Sequence, residues 1–212
     1  MGKSELSIEE ARAMIVFVAH RIIECKDRLT QADKAIGDGD HGIGMARGFE
    51  SVLTKVEEQE FAGLETLFKL VGMTLLTSIG GAAGAVFGTL FLGSARCLAD
   101  QEVLTAEVFS RMLQDGLKAV KDRGQAKPGD KTMVDALEPA AEEARKRETA
   151  PLDEALAAIA EAARLGMEKT KEMTASVGKA KTLGERSLGH PDPGAVSIFL
   201  ILESMKEYTE EG

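Results

Sequence analysis

The chain has 212 residues, with 26 basic and 35 acidic side chains for a net charge of −9, and only 4% aromatics, including no Trp and one Tyr. That length supports one sizeable domain with its own core. The acidic balance and the lack of any basic stripe argue against a nucleic-acid duplex as partner, and the dominance of Ala, Leu, Glu, Lys and Met favours helices.

Ser7-Ile8-Glu9-Glu10 reads as a capping box. The helix it opens carries Met14, Val18, Ile22, Cys25 and Leu29 on one face and is expected to end between Leu29 and Gln31. A second helix is expected from near Gly42 to Glu57, and a third from Leu64 to Ser78. Residues 70–95 carry no charge and are long enough to span a bilayer. Gly80, Gly84 and Gly88 even repeat at a spacing used by membrane helices. Ile79-Gly80-Gly81-Ala82-Ala83-Gly84 is a poor helix centre, however, since two adjacent glycines cost about 2 kcal/mol relative to alanine. Two buried helices joined by a glycine turn, and no membrane span, are the expectation.

The fourth helix should reach about Ala99. Thr105 suits the N-cap of a fifth, stopped by Gly124. Asp130 is placed as the cap of a sixth helix running to Lys146, and Pro151 in the first turn of a seventh running to Met173. A polar loop over 175–191 precedes an eighth helix from Asp192-Pro193 to about Tyr208. No strand is convincing. The fold expected is all-α: a single domain, residues 1–212, of eight antiparallel helices in a barrel or bundle. Cys25 and Cys97 fit reduced core thiols, and no apolar signal segment opens the chain, so a cytoplasmic protein is expected.

The loops before the second, fourth, sixth and eighth helices are the glycine-rich and charged ones. In an up-and-down arrangement alternate loops share an end, so these four should gather at one pole. The first holds Asp33, Asp38 and Asp40 among glycines. They read either as capping aspartates of a solvated loop or as a divalent metal cluster, with Mg²⁺ the ion that keeps water and phosphate oxygens in its shell. Gly37-x-Gly39-x-x-Gly42 satisfies the dinucleotide fingerprint only formally, since no strand precedes it. Its glycines still let backbone N–H groups approach an anion at a helix N-terminus. Gly124-x4-Gly129-Asp130-Lys131-Thr132 is one residue away from a P-loop and is rejected as one; Lys131 and Thr132 are placed near the shared pole. His20 reads as structural, and His41 either as a surface histidine or cap or as a contact to phosphate or a carboxylate. These residues alone support a Mg-nucleotide site on an all-α domain.

Taken together, Asp33-x4-Asp38-Gly39-Asp40-His41-Gly42, Gly72-Met73-Thr74-Leu75-Leu76, Gly80-Gly81-Ala82, Gly124-x-Ala126-x-Pro128-Gly129-Asp130-Lys131-Thr132-Met133 and Leu183-Gly184-Glu185-Arg186-Ser187-Leu188-Gly189-His190-x-Asp192-Pro193-Gly194-Ala195 occur in order. This series resembles the L subunit of dihydroxyacetone kinase over almost the whole chain. The resemblance implies an eight-helix barrel in which Asp33, Asp38 and Asp40 bind two Mg²⁺ ions bridging the phosphates of ADP or ATP. It places His41, Gly42, Ile43 and Gly44 along the phosphates. Ala82, Ala83, Gly124 and Met133 then flank the nucleotide, and Asp192, Pro193 and Gly194 close the site.

It further implies a substrate, dihydroxyacetone or a related short keto-sugar, held on a separate K subunit. The phosphoryl group would come from a phosphohistidine on an M subunit of the phosphotransferase system. A homodimer is left open. Gly44 stands where the family often has Asn, Ala83 where it has Ser, Lys179 where it has Arg and Thr182 where it has Tyr. Lys179 keeps the charge that would face phosphate but lacks the bidentate fork of Arg. The departures at Gly44 and Ala83 motivate a rival reading, a nucleotide-binding regulator without chemistry. Two further rivals keep the chemistry: a subunit that takes free ATP as donor, and a related kinase of this fold.

Overall fold

The structure is a computed structural model and describes residues 2–211. Among the described residues there are nine α-helices: α1 Ile8–Glu24, α2 Lys26–Ile36, α3 His41–Glu57, α4 Leu64–Ser78, α5 Gly81–Ser94, α6 Ala106–Gly124, α7 Val134–Lys146, α8 Leu152–Lys169 and α9 Pro193–Glu211. Short 3-10 helices follow α5 (Ala95–Leu98) and α8 (Thr170–Glu172), and another covers Lys179–Ser187.

The expected count of eight is exceeded because the first helix is broken. It does not end at Leu29–Gln31. Cys25 leaves the helical region at φ −80°, ψ 6°, and the chain resumes as α2, which buries Leu29, Asp33 and Ile36 on one face. Asp33 therefore stands on a helix, not in a loop. With α2 set aside, the other eight close a ring. Each of α3 to α9 packs on the next, α1 packs on α3, and α9 returns to α1. Helices adjacent in the chain are thus antiparallel neighbours, as short connections dictate.

Several boundaries also differ from expectation. The fifth predicted helix takes Gly124 as its last residue and is stopped by Gln125, which adopts the left-handed conformation at φ 53°. Its N-cap is Thr105, as expected, accepting from the Val108 N–H at 3.3 Å. α7 begins at Val134, so Asp130 is not its cap. α9 extends past Tyr208 to Glu211. One strand pair exists where none was expected: β1, Leu6–Ser7, lies antiparallel to β2, Val103–Leu104. It fastens the start of α1 to the α5–α6 connection. The same end of the ring is tied by Arg12, whose guanidinium donates to the Val56 carbonyl at 3.0 Å.

The ring interior is a continuous apolar core that includes Met14, Phe49, Phe68 and Phe87, all essentially without solvent contact. Each such side chain contributes about 1.5–3 kcal/mol on leaving water. The uncharged stretch forms two helices, α4 and α5, as expected. Half of Gly81–Leu98 is buried against its neighbours. A side-chain carbon at Gly88 would lie 2.7 Å from the Leu76 Cα, so the glycine repeat serves close helix–helix packing. Cys25 and Cys97 are free thiols, both partly buried.

Candidate metal and anion site

Four connections meet at the end of the ring opposite β1 and β2, those that precede α3, α5, α7 and α9. Each of these helices points its N-terminus, with its unpaired N–H groups and the positive end of its dipole, at one space. That space is a cavity of about 580 Å³ lined from all four connections, a size usual for small-molecule sites.

The helices that end here would oppose this field with their C-terminal carbonyls. Two of them are covered by cations. Arg47, on α3, donates to the Ser78 carbonyl at 2.7 Å and to that of Ile79, at the end of α4. Lys131 donates to the carbonyl of Thr170, the C-cap of α8. Cations at helix C-termini are favourable in themselves. Here they also leave the exposed N-termini to set the sign of the cavity.

The acidic residues stand at its rim. Asp33 is buried, while Asp38 and Asp40 are exposed, and one carboxylate oxygen from each lies within 4.8 Å of the others. Asp33 can be buried because its Oδ2 accepts the His41 N–H at 3.1 Å, and a buried carboxylate needs such partners. Any side-chain carbon at Gly42 would come within 2.3 Å of the Lys26 carbonyl and Thr30 Oγ1. Glycine there lets α3 begin against α2 and sets Asp33 beside the Asp38–Asp40 turn. All three donors are carboxylate oxygens, the set that hard divalent ions such as Mg²⁺ take. Lys179 reaches the same cluster, with its ammonium 2.5 Å from Asp38 and 3.5 Å from Asp40.

At the start of α3, the His41 N–H is used by Asp33, and the Gly44 N–H begins the helical ladder by donating to Asp40 at 2.9 Å. The Gly42 and Ile43 N–H groups lie between them, in the first turn whose donors have no helical acceptor. At α5, Gly80 with φ 83° turns the chain, and Ala82 and Ala83 supply the first turn against the cavity. Gly124 and Met133 form another part of the lining, and Asp192, Pro193 and Gly194 a further part. The fifteen residues singled out from the sequence thus come to one pole. Asp38 stands at the acidic rim, Gly42 packs against α2, and the others line the cavity.

The structure details their surroundings. The His41 ring is buried and points to α9, with Nε2 2.7 Å from Ser197 Oγ. Ser197 Oγ also lies 3.1 Å from the Pro193 carbonyl, which links the ring to the first turn of α9. Burial lowers the His41 pKa, keeping the imidazole neutral. Asp192 caps α9 by accepting the Ala195 N–H at 2.8 Å. Desolvation pushes its carboxyl up to about 7, although the Ala195 N–H and Lys131 pull it down.

Three residues of the site carry little or no signal in the sequence. Arg47 lies a turn beyond the glycines and has no motif around it. Lys131 stands out in a failed P-loop pattern and within the longer Gly124–Met133 motif, but neither gives it a role. Asp135 belongs to no motif, yet it accepts the Gly129 N–H at 2.6 Å and the Thr132 N–H at 2.8 Å and so shapes the loop before α7. Asp130, expected to cap a helix, instead accepts from the Lys127 N–H and from Ser176.

Comparison with known proteins places this arrangement in a family. The DAK2 domain family matches residues 35–207. The chain is 40% identical over 185 residues to the ADP-binding subunit of a PEP-dependent dihydroxyacetone kinase of Listeria innocua, covering 87% of this chain and 88% of that one. It is 41% identical over 182 residues to the corresponding subunit of Escherichia coli, covering 84% and 85%. Among solved structures, the dihydroxyacetone kinase of C. freundii in complex with AMP-PNP and Mg²⁺ superimposes with a TM-score of 0.74 at 25% identity. That match covers 96% of this chain and 34% of that longer one.

Proposed function

Since this chain belongs to the DAK2 domain family, we propose that it is the nucleotide-holding subunit of a dihydroxyacetone-type kinase, with residues 1–212 acting as one domain. The observation that carries the reading is the convergence of four helix N-termini on one cavity bordered by three carboxylates. Fixed backbone donors that need no reorganisation are what a transferring phosphoryl group requires.

In this reading the backbone N–H groups of Gly42 and Ile43 at α3, with those of Ala82 and Ala83 at α5, hold the phosphates of ADP or ATP, and Gly44, whose N–H is taken by the Asp40 carbonyl, lines the phosphates by its lack of a side chain. His41 sets the start of α3 by its bond to Ser197 and gives its own N–H to Asp33. Gly124 and Met133 bear on the nucleoside, and Asp192, Pro193 and Gly194 close the far wall. Asp33, Asp38 and Asp40 hold the metal, with oxygen enough for two Mg²⁺ ions. Bound Mg²⁺ neutralises charge on the phosphate oxygens. Lys179, at the rim, adds a movable positive charge.

The chain presents the phosphoryl group and leaves the sugar to another protein. The acceptor is dihydroxyacetone or a related short keto-sugar on a K subunit. The donor is a phosphohistidine M subunit charged from phosphoenolpyruvate, in the cytoplasm. The similarity to PEP-dependent subunits over most of both chains supports this over free ATP.

The test is Asp38→Asn, a change at an exposed position that leaves the fold alone. Assayed with K and M subunits and phosphoenolpyruvate, it is expected to lose sugar phosphorylation by at least 100-fold while its helical content and melting temperature stay at the wild-type values. Wild-type turnover in the variant would overturn the assignment.

A further inference from the structure

The segment from Lys171 to Gly189 leaves the ring between α8 and α9 and brings Val177, Gly178, Lys179 and Ala180 to the cavity. Its two ends meet: the Gly189 N–H donates to the Lys171 carbonyl at 2.8 Å. At this neck one side chain holds both strands. The Lys131 ammonium donates to the carbonyl of Thr170 and, at 2.6 Å, to that of His190. The residue before it holds the segment a second time. Asp130 Oδ1 accepts the Ser176 hydroxyl at 2.6 Å, and its carbonyl accepts the Ser176 N–H at 3.3 Å.

Lys131 bears two costs to do this. It is 2% exposed, and a buried ammonium must be fully compensated. No carboxylate lies within 4 Å of it among the described residues; Asp192 and Asp135 act on it from further off, and burial pulls its pKa down. It also adopts φ 61°, a left-handed conformation that glycine takes freely and a lysine does not. A turn needing only that backbone shape would be better served by glycine. The side chain is what this position uses.

We propose that Lys131 is a positioning residue that clamps the neck of the 171–189 segment, fixing that segment over the cavity so that bound nucleotide leaves slowly. The clamp acts through the backbone of Thr170 and His190, so Lys131 itself need not touch the nucleotide. One cation thereby caps α8, fixes the approach to Asp192 and the start of α9, and sets how far Lys179 can travel from the acidic rim. The dependence on nucleotide rests on the function proposed above; the clamp itself does not.

The experiment compares wild type, Lys131→Gly and Ser176→Ala as full-length chains. Ser176→Ala removes the hydroxyl contacts to Asp130 at an exposed site and keeps the test open if the buried change fails to fold. Two quantities are read: amide hydrogen exchange along the chain, and the rates at which fluorescent ADP binds and leaves in the presence of Mg²⁺. Expected are at least tenfold faster exchange confined to 171–192 in Lys131→Gly and a smaller rise over the same residues in Ser176→Ala. ADP dissociation should rise tenfold or more with association little changed, a split that general destabilisation does not produce. A Lys131→Gly chain with wild-type exchange in 171–192, or a Ser176→Ala chain with wild-type exchange when the first variant does not fold, overturns the clamp. If exchange rises as expected but wild type binds no ADP, the nucleotide reading fails and the clamp stands. If exchange rises and ADP leaves at the wild-type rate, the retention role is overturned.

Discussion

Lys179 and Asp38, 141 residues apart in the chain, pair with their charged atoms 2.5 Å apart. The pairing raises the lysine pKa and lowers that of the aspartate, each through the other's hydrogen bond. Both side chains are exposed, so the pair adds little to stability. Its consequence lies in competition, because Asp38 and Asp40 cannot give the same oxygens fully to an ammonium and to a divalent ion.

Lys179→Gln is therefore expected to bind Mn²⁺, used as a probe for Mg²⁺, several-fold more tightly than wild type when no nucleotide is present. Isothermal titration at constant ionic strength measures this. Lys181→Gln, which changes the same net charge without such a contact, is expected to match wild type. Equal affinities in the Lys179 and Lys181 variants would show that the ammonium does not compete for these oxygens.

Asp192 predicts a pH dependence. Its pKa is raised from 3.8 to about 7 by desolvation, so the folded state holds the proton more tightly than the unfolded chain. The stability linked to this proton is complete below about pH 4 and is lost as pH rises through about 7. Asp192→Asn keeps a good helix cap and removes the ionisation. Its melting temperature should match wild type at pH 4 and exceed it by several degrees at pH 8. Parallel stability profiles for the two proteins from pH 4 to 8 would show that Asp192 ionises normally.

Two glycines of the site should respond in opposite directions to alanine. At Gly42 the new carbon would fall 2.3 Å from a backbone carbonyl of α2, so Gly42→Ala is expected to cost about 1–3 kcal/mol by overpacking. At Gly124, the last residue of α6, nothing lies within 4 Å of an added carbon. Gly124→Ala is expected to add about 0.4–1 kcal/mol by restricting the unfolded chain. Urea denaturation of both variants decides this, and equal effects would contradict the packing described for α2 and α3.

The proximity of the three carboxylates was legible because they are close in the chain. Asp33, Asp38 and Asp40 fall within eight residues, and like charges so close together ask for a cation. The shared pole was legible for a different reason. Short connections force alternate loops to one end, so helix order alone placed Gly80–Ala83, Gly124–Met133 and Asp192–Gly194 beside the acids. The break at Cys25 was not legible, since nothing in the apolar pattern marks it. Asp33 looked like a loop residue because its charge hides that it is buried and bonded to His41.

What the tertiary structure alone decided are the contacts that neutralise and hold the pole. Arg47 finds the end of α4 across 31 or more residues, Lys131 finds Thr170 and His190 across 39 and 59, and His41 finds Ser197 across 156. Periodicity and spacing report which face of an element is apolar and which helix follows which. They carry no information on which cation meets which distant carbonyl, because those partners are chosen by how the closed ring brings helix ends together.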